Sequence, residues 1–193
     1  MAKLYFYYSS MNAGKSTILL QSSFNYRERG METMLWTAAV DDRYGHGLIV
    51  SRIGLEAEAH LFDAGTDMFA GIAAQHAQTP LSCVLVDEAQ FLNMAQVWQL
   101  AAICDRLGIP ILCYGIRTDF QGQLFEGSAA LLGVADTLTE IKTICECGRK
   151  ATMNLRVDGE GHPIREGEQT EIGGNDRYVA LCRRHFVERR SGH

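Results

Sequence analysis

Four side chains have the types and spacing for handling a phosphate ester: Lys15, Ser16, Asp87 and Glu88. Lys15 and Ser16 close the stretch Ser9-Ser10-Met11-Asn12-Ala13-Gly14-Lys15-Ser16. It follows an apolar and aromatic run, Leu4-Tyr5-Phe6-Tyr7-Tyr8, and precedes a helical pattern. Strand, tight loop, GK[ST] and helix are the parts of a phosphate-binding loop, in which backbone N–H groups and a helix N-terminus present positive dipole to an anion. Lys15 would reach the β- and γ-phosphates of a nucleoside triphosphate, and Ser16 would offer its hydroxyl to Mg²⁺. The usual first Gly of such a loop is Ser9 here, which is workable if that position needs no positive φ.

The second element is Cys83-Val84-Leu85-Val86-Asp87-Glu88. Four apolar residues and then an acid put Asp87 at the carboxyl end of a buried strand, where ligands bind in open parallel sheets and where a carboxylate holds Mg²⁺. Strand alternation points Glu88 to another side, which suits a general base that takes a proton from the acceptor of a γ-phosphoryl group. The triphosphate would be met by residues 9–16 and by Asp87, Glu88, Ala89 and Gln90. Two solvated acids at a strand end is the simpler reading of Asp87 and Glu88 taken alone.

Other side chains extend the site. Asp41 and Arg43 follow a further strand, and Arg43 would steady phosphoryl charge or anchor the acceptor; a loop charge pair explains them equally well. Phe120, in the loop after residues 111–115, would stack on a flat substrate or simply pack that loop down. Cys145, Cys147, Cys182 and His185 gather in a polar, Gly-rich segment with too little apolar content to fold by burial alone. Cys182-Arg-Arg-His185 has the spacing of a zinc half-site, and Cys145-Glu-Cys147 is workable if extended, since residues i and i+2 share a side. The expectation is a structural Cys₃His zinc site; free thiols or a redox pair are the alternative. Between the half-sites, Ile172, Gly173 and Gly174 would offer backbone to a base edge, with Tyr178 packed behind the ligand, unless this is merely an irregular loop.

Alternating elements must position these groups. Strands are expected near residues 4–8, 34–40, 48–53, 61–62, 83–86, 111–115 and 137–144. Helices are expected over 16–29 (stopped by Gly30), 67–77, 94–107 (capped by Asn93, closed by Gly108) and 128–132. Continuous apolar strands alternating with helices mean α/β architecture, a parallel sheet covered by helices on both faces. The expected division is an ATP-binding domain over 1–144 and a zinc-held lid over 145–193.

At 193 residues, 47% hydrophobic, 21% charged and net charge −5, the chain suits one well-cored domain with a small appendage. The charge argues against duplex nucleic acid as a partner, and no apolar run approaches a membrane span. With the first strand starting at residue 4 and six cysteines, no secretion signal is expected and the thiols are read as reduced, in the cytoplasm.

Taken together, YFYYSSMNAGKST, DDRYG, VLVDEAQF, YGIRTDFQG, TICECGRKA and EIGGNDRYVALCRRH resemble the type II thymidine kinases, shared by bacteria and the vertebrate cytosol. The resemblance covers essentially the whole chain. It implies a P-loop NTPase-type, RecA-like sheet with a zinc-binding lasso, and γ-phosphate transfer from ATP to the 5′-hydroxyl of thymidine, with deoxyuridine a second substrate. It further implies Glu88 as catalytic base and Phe120 and Met11 near the thymine. A lasso of Glu171, Ile172, Gly173, Gly174 and Asn175, with Tyr178 beside it, would cover the base. Zinc would sit on Cys145, Cys147, Cys182 and His185, in a homotetramer inhibited by dTTP. Ser9 and the Cys-x-Cys spacing depart from the family's commoner residues. A competing reading is an ATP-dependent switch or adaptor with a structural zinc site.

Overall fold

The structure, a computed structural model, describes residues 1–40, 47–170 and 177–192. Its centre is a six-stranded parallel sheet. The strands are β1 (Leu4–Ser9), β2 (Glu32–Ala38), β5 (His60–Phe62), β6 (Leu81–Val86), β7 (Ile111–Ile116) and β8 (Thr137–Glu140), in spatial order β5-β2-β6-β7-β1-β8. The helices are α1 (Lys15–Arg27), α2 (Met68–Gln78), α3 (Met94–Leu107) and α4 (Glu126–Val134). The expected α/β sheet is therefore present.

Both sheet faces are buried, and period-two alternation sorts the side chains between them. Val84 and Val86 join Leu4, Phe6, Trp36 and Ile111 in one cluster with residues of α2, α3 and α4. Cys83 and Leu85 face the other way, against Leu19 and Leu20 of α1, with Leu35, Ile49 and Tyr114. Helix ends follow local chemistry. Asn93 and Gln96 form a reciprocal capping box on α3: Asn93 Oδ1 accepts from the N–H of Gln96 at 2.9 Å, and Gln96 Oε1 from the N–H of Asn93 at 3.0 Å. Gly30, at φ 72°, closes α1: its N–H donates to the C=O of Arg27 and that of Met31 to the C=O of Tyr26, the paired bonds of a Schellman ending.

Several boundaries differ from expectation. The strand expected over 48–53 is short, β3 (Leu48–Val50), and turns back to pair with β4 (Glu56–Glu58), whose alternation of small and charged residues gave no apolar run. Helix α4 extends beyond 128–132 at both ends. The single strand expected over 137–144 is two: after β8, β9 (Thr143–Ile144) pairs antiparallel with β10 (Lys150–Ala151). The polar C-terminal segment also holds more structure than its composition suggested. A hairpin of β11 (Met153–Arg156) and β12 (Tyr178–Leu181) runs into α5 (Arg183–Ser191). A small apolar cluster including Leu155, Leu181 and Phe186 underlies it.

Candidate active site

Parallel strands end on one rim, so the loops after β1, β6 and β7, three adjacent strands, converge there. The loop after β1 climbs into α1 through two left-handed residues, Asn12 (φ 61°) and Gly14 (φ 84°). Ser9 is not among the positive-φ residues, so its position makes no demand for glycine. Its hydroxyl instead ties the loop to the lysine, accepting from Lys15 Nζ at 3.1 Å and donating to the C=O of Ser10 at 2.7 Å. Lys15 Nζ also donates to the Ser10 C=O, at 3.1 Å. The nearly buried ammonium is thus held against the loop expected to cradle phosphates. Ser10 Oγ and Asn12 Oδ1 are buried with no hydrogen-bond partner among the described residues, polar atoms of the kind a bound ligand satisfies.

Asp87 remains in the sheet ladder, its N–H donating to the C=O of Trp36 at 2.8 Å. Its Oδ2 accepts from the Ser16 hydroxyl at 2.8 Å, which brings together the two oxygens expected to hold Mg²⁺. Burial pushes the Asp87 carboxyl up to about 7, and the neighbouring Glu88 charge pushes the same way, against the pull of Ser16, the Glu88 N–H and Lys15. Such a group favours an arriving cation.

Glu88 does diverge from Asp87, but not by strand alternation. β6 ends at Val86, and Glu88 is left-handed at φ 50°, so a sharp turn re-aims the side chain. Gln90 holds it: Gln90 Nε2 donates to Glu88 Oε2, while Gln90 Oε1 accepts from the Ile116 N–H at 3.2 Å. Two glycines make room for this turn. A Cβ on Gly115 would lie 2.8 Å from Gln90 Oε1, and one on Gly127 within 2.5 Å of the Ala89 C=O and 2.6 Å of that of Leu92.

The third wall is the loop after β7 together with the β11–β12 hairpin. Asp119 Oδ1 accepts from the N–H groups of Gln121 and Gln123, each at 2.8 Å, folding the loop tightly. Phe120 sits behind it with the Arg156 guanidinium 3.8 Å from its ring centroid. Arg156 Nε donates to the Tyr178 hydroxyl at 3.1 Å, and Nη2 to the C=O of Glu168 at 2.8 Å. One cavity joins these walls: Met11, Lys15, Ser16, Glu88, Phe120 and Tyr178 all line it.

The thymidine kinase family profile matches residues 2–186. A thymidine kinase of Novosphingobium aromaticivorans is 74% identical over 188 residues, 97% of this chain and 98% of that one. One of Zymomonas mobilis is 65% identical over 189 residues, 98% of each chain. One of Agrobacterium fabrum is 63% identical over 188 residues, 97% of each chain. The chain belongs to the thymidine kinase family. Membership in this kinase family decides against a switch or adaptor.

Of the residues expected in the site, Met11, Asn12, Ala13, Gly14, Lys15, Ser16, Glu88, Gln90, Phe120 and Tyr178 line the cavity. Ser9, Ser10, Asp87 and Ala89 are buried and do not line it. Asp41, Arg43, Glu171, Ile172, Gly173, Gly174 and Asn175 lie outside the described residues. Asn154, Arg156 and Gln169 were missed. Met-Asn-Leu-Arg-Val over 153–157 carried a signal: Asn154 and Arg156, both buried, alternate with Leu155 and Val157 of the small apolar cluster.

The chain also brings Cys145, Cys147, Cys182 and His185 together, one ligand atom from each lying within 4.8 Å of the others. Cys145 Sγ is 3.3 Å from His185 Nδ1, and Cys147 Sγ 3.9 Å from Cys182 Sγ. Tetrahedral zinc needs about 3.6 Å between sulfur and nitrogen and about 3.8 Å between sulfurs, so the set fits a metal. The expected extended Cys-x-Cys is instead a turn at the tip of the β9–β10 hairpin, closed by the Gly148 N–H donating to the Cys145 C=O at 2.8 Å. Cys182 occupies the N-cap position of α5, without a side-chain capping bond, and His185 lies in its first turn. Among the described residues no helix is long and apolar enough to cross a membrane.

Proposed function

We propose that this thymidine kinase transfers the γ-phosphate of ATP to the 5′-hydroxyl of thymidine with Glu88 as the base. The observation that carries the reading is convergence: phosphate loop, Glu88 and aromatic wall border one cavity, with Asp87 buried against Ser16 of that loop. The triphosphate lies along the loop of residues 9–16, with Lys15 on its terminal phosphates. Ala89 and Gln90 close that side. Ser16 and Asp87, whose side-chain oxygens lie 2.8 Å apart, would hold magnesium, which would supply positive charge against the phosphates.

Glu88 takes the 5′-hydroxyl proton as that oxygen bonds to the γ-phosphorus. The bond from phosphorus to the β–γ bridging oxygen breaks, leaving ADP and dTMP. Gln90 keeps the Glu88 carboxylate turned toward the cavity. Phe120, fixed from behind by Arg156, and Met11 border the base, with Tyr178 beside them; these assignments rest on the cavity lining and the family resemblance. The resemblance alone supports Arg43, the cover formed by 171–175, deoxyuridine as second substrate, a homotetramer, dTTP inhibition and a cytoplasmic setting.

Zinc on the Cys₃His cluster is structural in this reading, since four protein ligands leave no open position. Residues 145–193 then form a unit that the metal holds against the nucleoside side of an ATP-binding domain of residues 1–144. The test is ATP turnover against a panel of nucleosides with product analysis. Formation of dTMP, favoured over other nucleotides, is expected; ATP turnover without any phosphorylated nucleoside would overturn the assignment.

A further inference from the structure

Asn154 belongs to β11, but its carboxamide bonds outside the hairpin. Oδ1 accepts from the N–H of Met11 at 2.7 Å, across 143 residues of sequence. Nδ2 donates to the C=O of Thr118 at 3.1 Å. Both partners are backbone groups of fixed polarity, so the amide has one satisfactory orientation. Only 2% of the residue is exposed, so water is a poor substitute for either bond.

Each partner is next to a residue of the site. Met11 immediately precedes Asn12, the non-glycine left-handed residue of the phosphate loop, a conformation that L-residues adopt at a cost. Thr118 leads through Asp119 to Phe120. On the other side, β11 is paired with β12 in the register Asn154↔Ala180, and two residues later the chain reaches Cys182 and α5. A continuous path of hydrogen bonds and covalent chain therefore runs from the Cys/His cluster to the phosphate loop.

We propose that Asn154 is a positioning residue that couples the metal-held hairpin to the phosphate loop and to the aromatic wall. The loop keeps its nucleotide-binding shape only while β11 is docked through this amide. The coupling rests on the function proposed above for that loop, and concerns how the loop's geometry is maintained. One consequence is that two loops of the cavity are set by a single side chain: Oδ1 holds the phosphate loop at Met11, and Nδ2 holds the loop that carries Phe120.

The test compares Asn154→Leu, which removes both bonds at similar volume, with Asn154→Asp, which keeps the acceptor for Met11 and loses the donor to Thr118. Full-length, metal-replete protein is used throughout. The readouts are affinity for magnesium with a non-hydrolysable ATP analogue, KM for thymidine, zinc per chain, and hydrogen exchange at the Met11 amide. Asn154→Leu is expected to weaken analogue binding about tenfold and speed Met11 exchange at least about tenfold, with zinc content unchanged. Asn154→Asp is expected to stay within about threefold for the analogue while raising KM for thymidine about tenfold. Should the Leu variant not fold, Asn154→Ser, too short to reach Met11, replaces it with the same expected outcome. Analogue binding within about twofold of wild type in the Leu or Ser variant, or Asp as weak as Leu, overturns the coupling. Analogue binding needs no nucleoside, so the coupling and the kinase assignment fail separately. A wild-type chain that binds the analogue but phosphorylates nothing refutes the kinase assignment alone.

Discussion

Replacing Asp87 with Asn should make the ligand-free protein more stable and nearly inactive. The carboxyl is buried and titrates at about 7 rather than at its ordinary 3.8. The folded chain therefore holds its proton over a pH range in which the unfolded chain has lost it. Stability from this group is fully present below about pH 4 and is lost as pH rises to about 7. Taking those two values, the cost of the buried charge reaches a ceiling of about 4 kcal/mol at pH 8 and stays under about 2 kcal/mol at pH 5. Asn keeps an oxygen for the Glu88 N–H, which lies 3.0 Å from Asp87 Oδ1, and the Ser16 hydroxyl can rotate to accept from the new amide. Each kcal/mol is worth about 2–4 °C in a chain of this size. The assay is thermal unfolding of ligand-free wild type and variant at pH 5 and pH 8, with magnesium-dependent kcat/KM measured in parallel. The expected result is a Tm gain that is several degrees larger at pH 8 than at pH 5, with kcat/KM down at least about 100-fold. A variant no more stable than wild type at pH 8, or a gain of equal size at both pH values, would refute the reasoning.

Three further outcomes are expected. Glu88→Gln should lower kcat about 10²-fold or more while leaving ATP affinity within a few-fold; near-normal kcat would remove Glu88 from the base role. Metal analysis of reduced protein should give about one zinc per chain, and Cys145→Ser should lose most of it; an unchanged zinc content would show that Cys145 is not a ligand. Gly127→Ala should cost about 1–3 kcal/mol or more and lower kcat, because its Cβ would meet the Ala89 and Leu92 carbonyls that shape the Glu88 turn. Unfolding and kinetics at wild-type values would mean that the turn relaxes freely.

What was legible in the sequence was local. The phosphate loop, the apolar run ending in Asp87 and the Asn93 and Gly108 boundaries of α3 are set by residues within a few positions of one another. Their signals survive without tertiary information. The elements that went unread are those whose stabilising partners are distant. β4 gains its order from β3, and β11 from β12 across a long connection. β9 breaks from β8 because residues 143–144 are claimed by β10, a competition that no periodicity within 137–144 records. The Cys/His set was legible from ligand type, yet its geometry was not: a hairpin turn, rather than an extended chain, brings Cys145 and Cys147 together.

The same distinction separates the groups proposed to meet the substrates from the groups that aim them. Glu88 was found because an acid after a buried strand is a local pattern, but its direction is set by Gln90, itself anchored on the Ile116 N–H 26 residues away. Phe120 was found in a loop beside a strand, but Arg156, which covers one face of its ring, sits in a different sheet. A buried arginine that stacks on Phe120 and donates to Tyr178 and the Glu168 carbonyl braces an aromatic wall on the side of the cavity proposed for the nucleoside. Substitution there should therefore disturb nucleoside recognition before it disturbs ATP binding. Arg156→Lys keeps the charge but loses the planar stacking surface and the forked donors. An Arg156→Lys enzyme with thymidine KM unchanged and ATP KM raised would mean that the wall is held by something other than that plane.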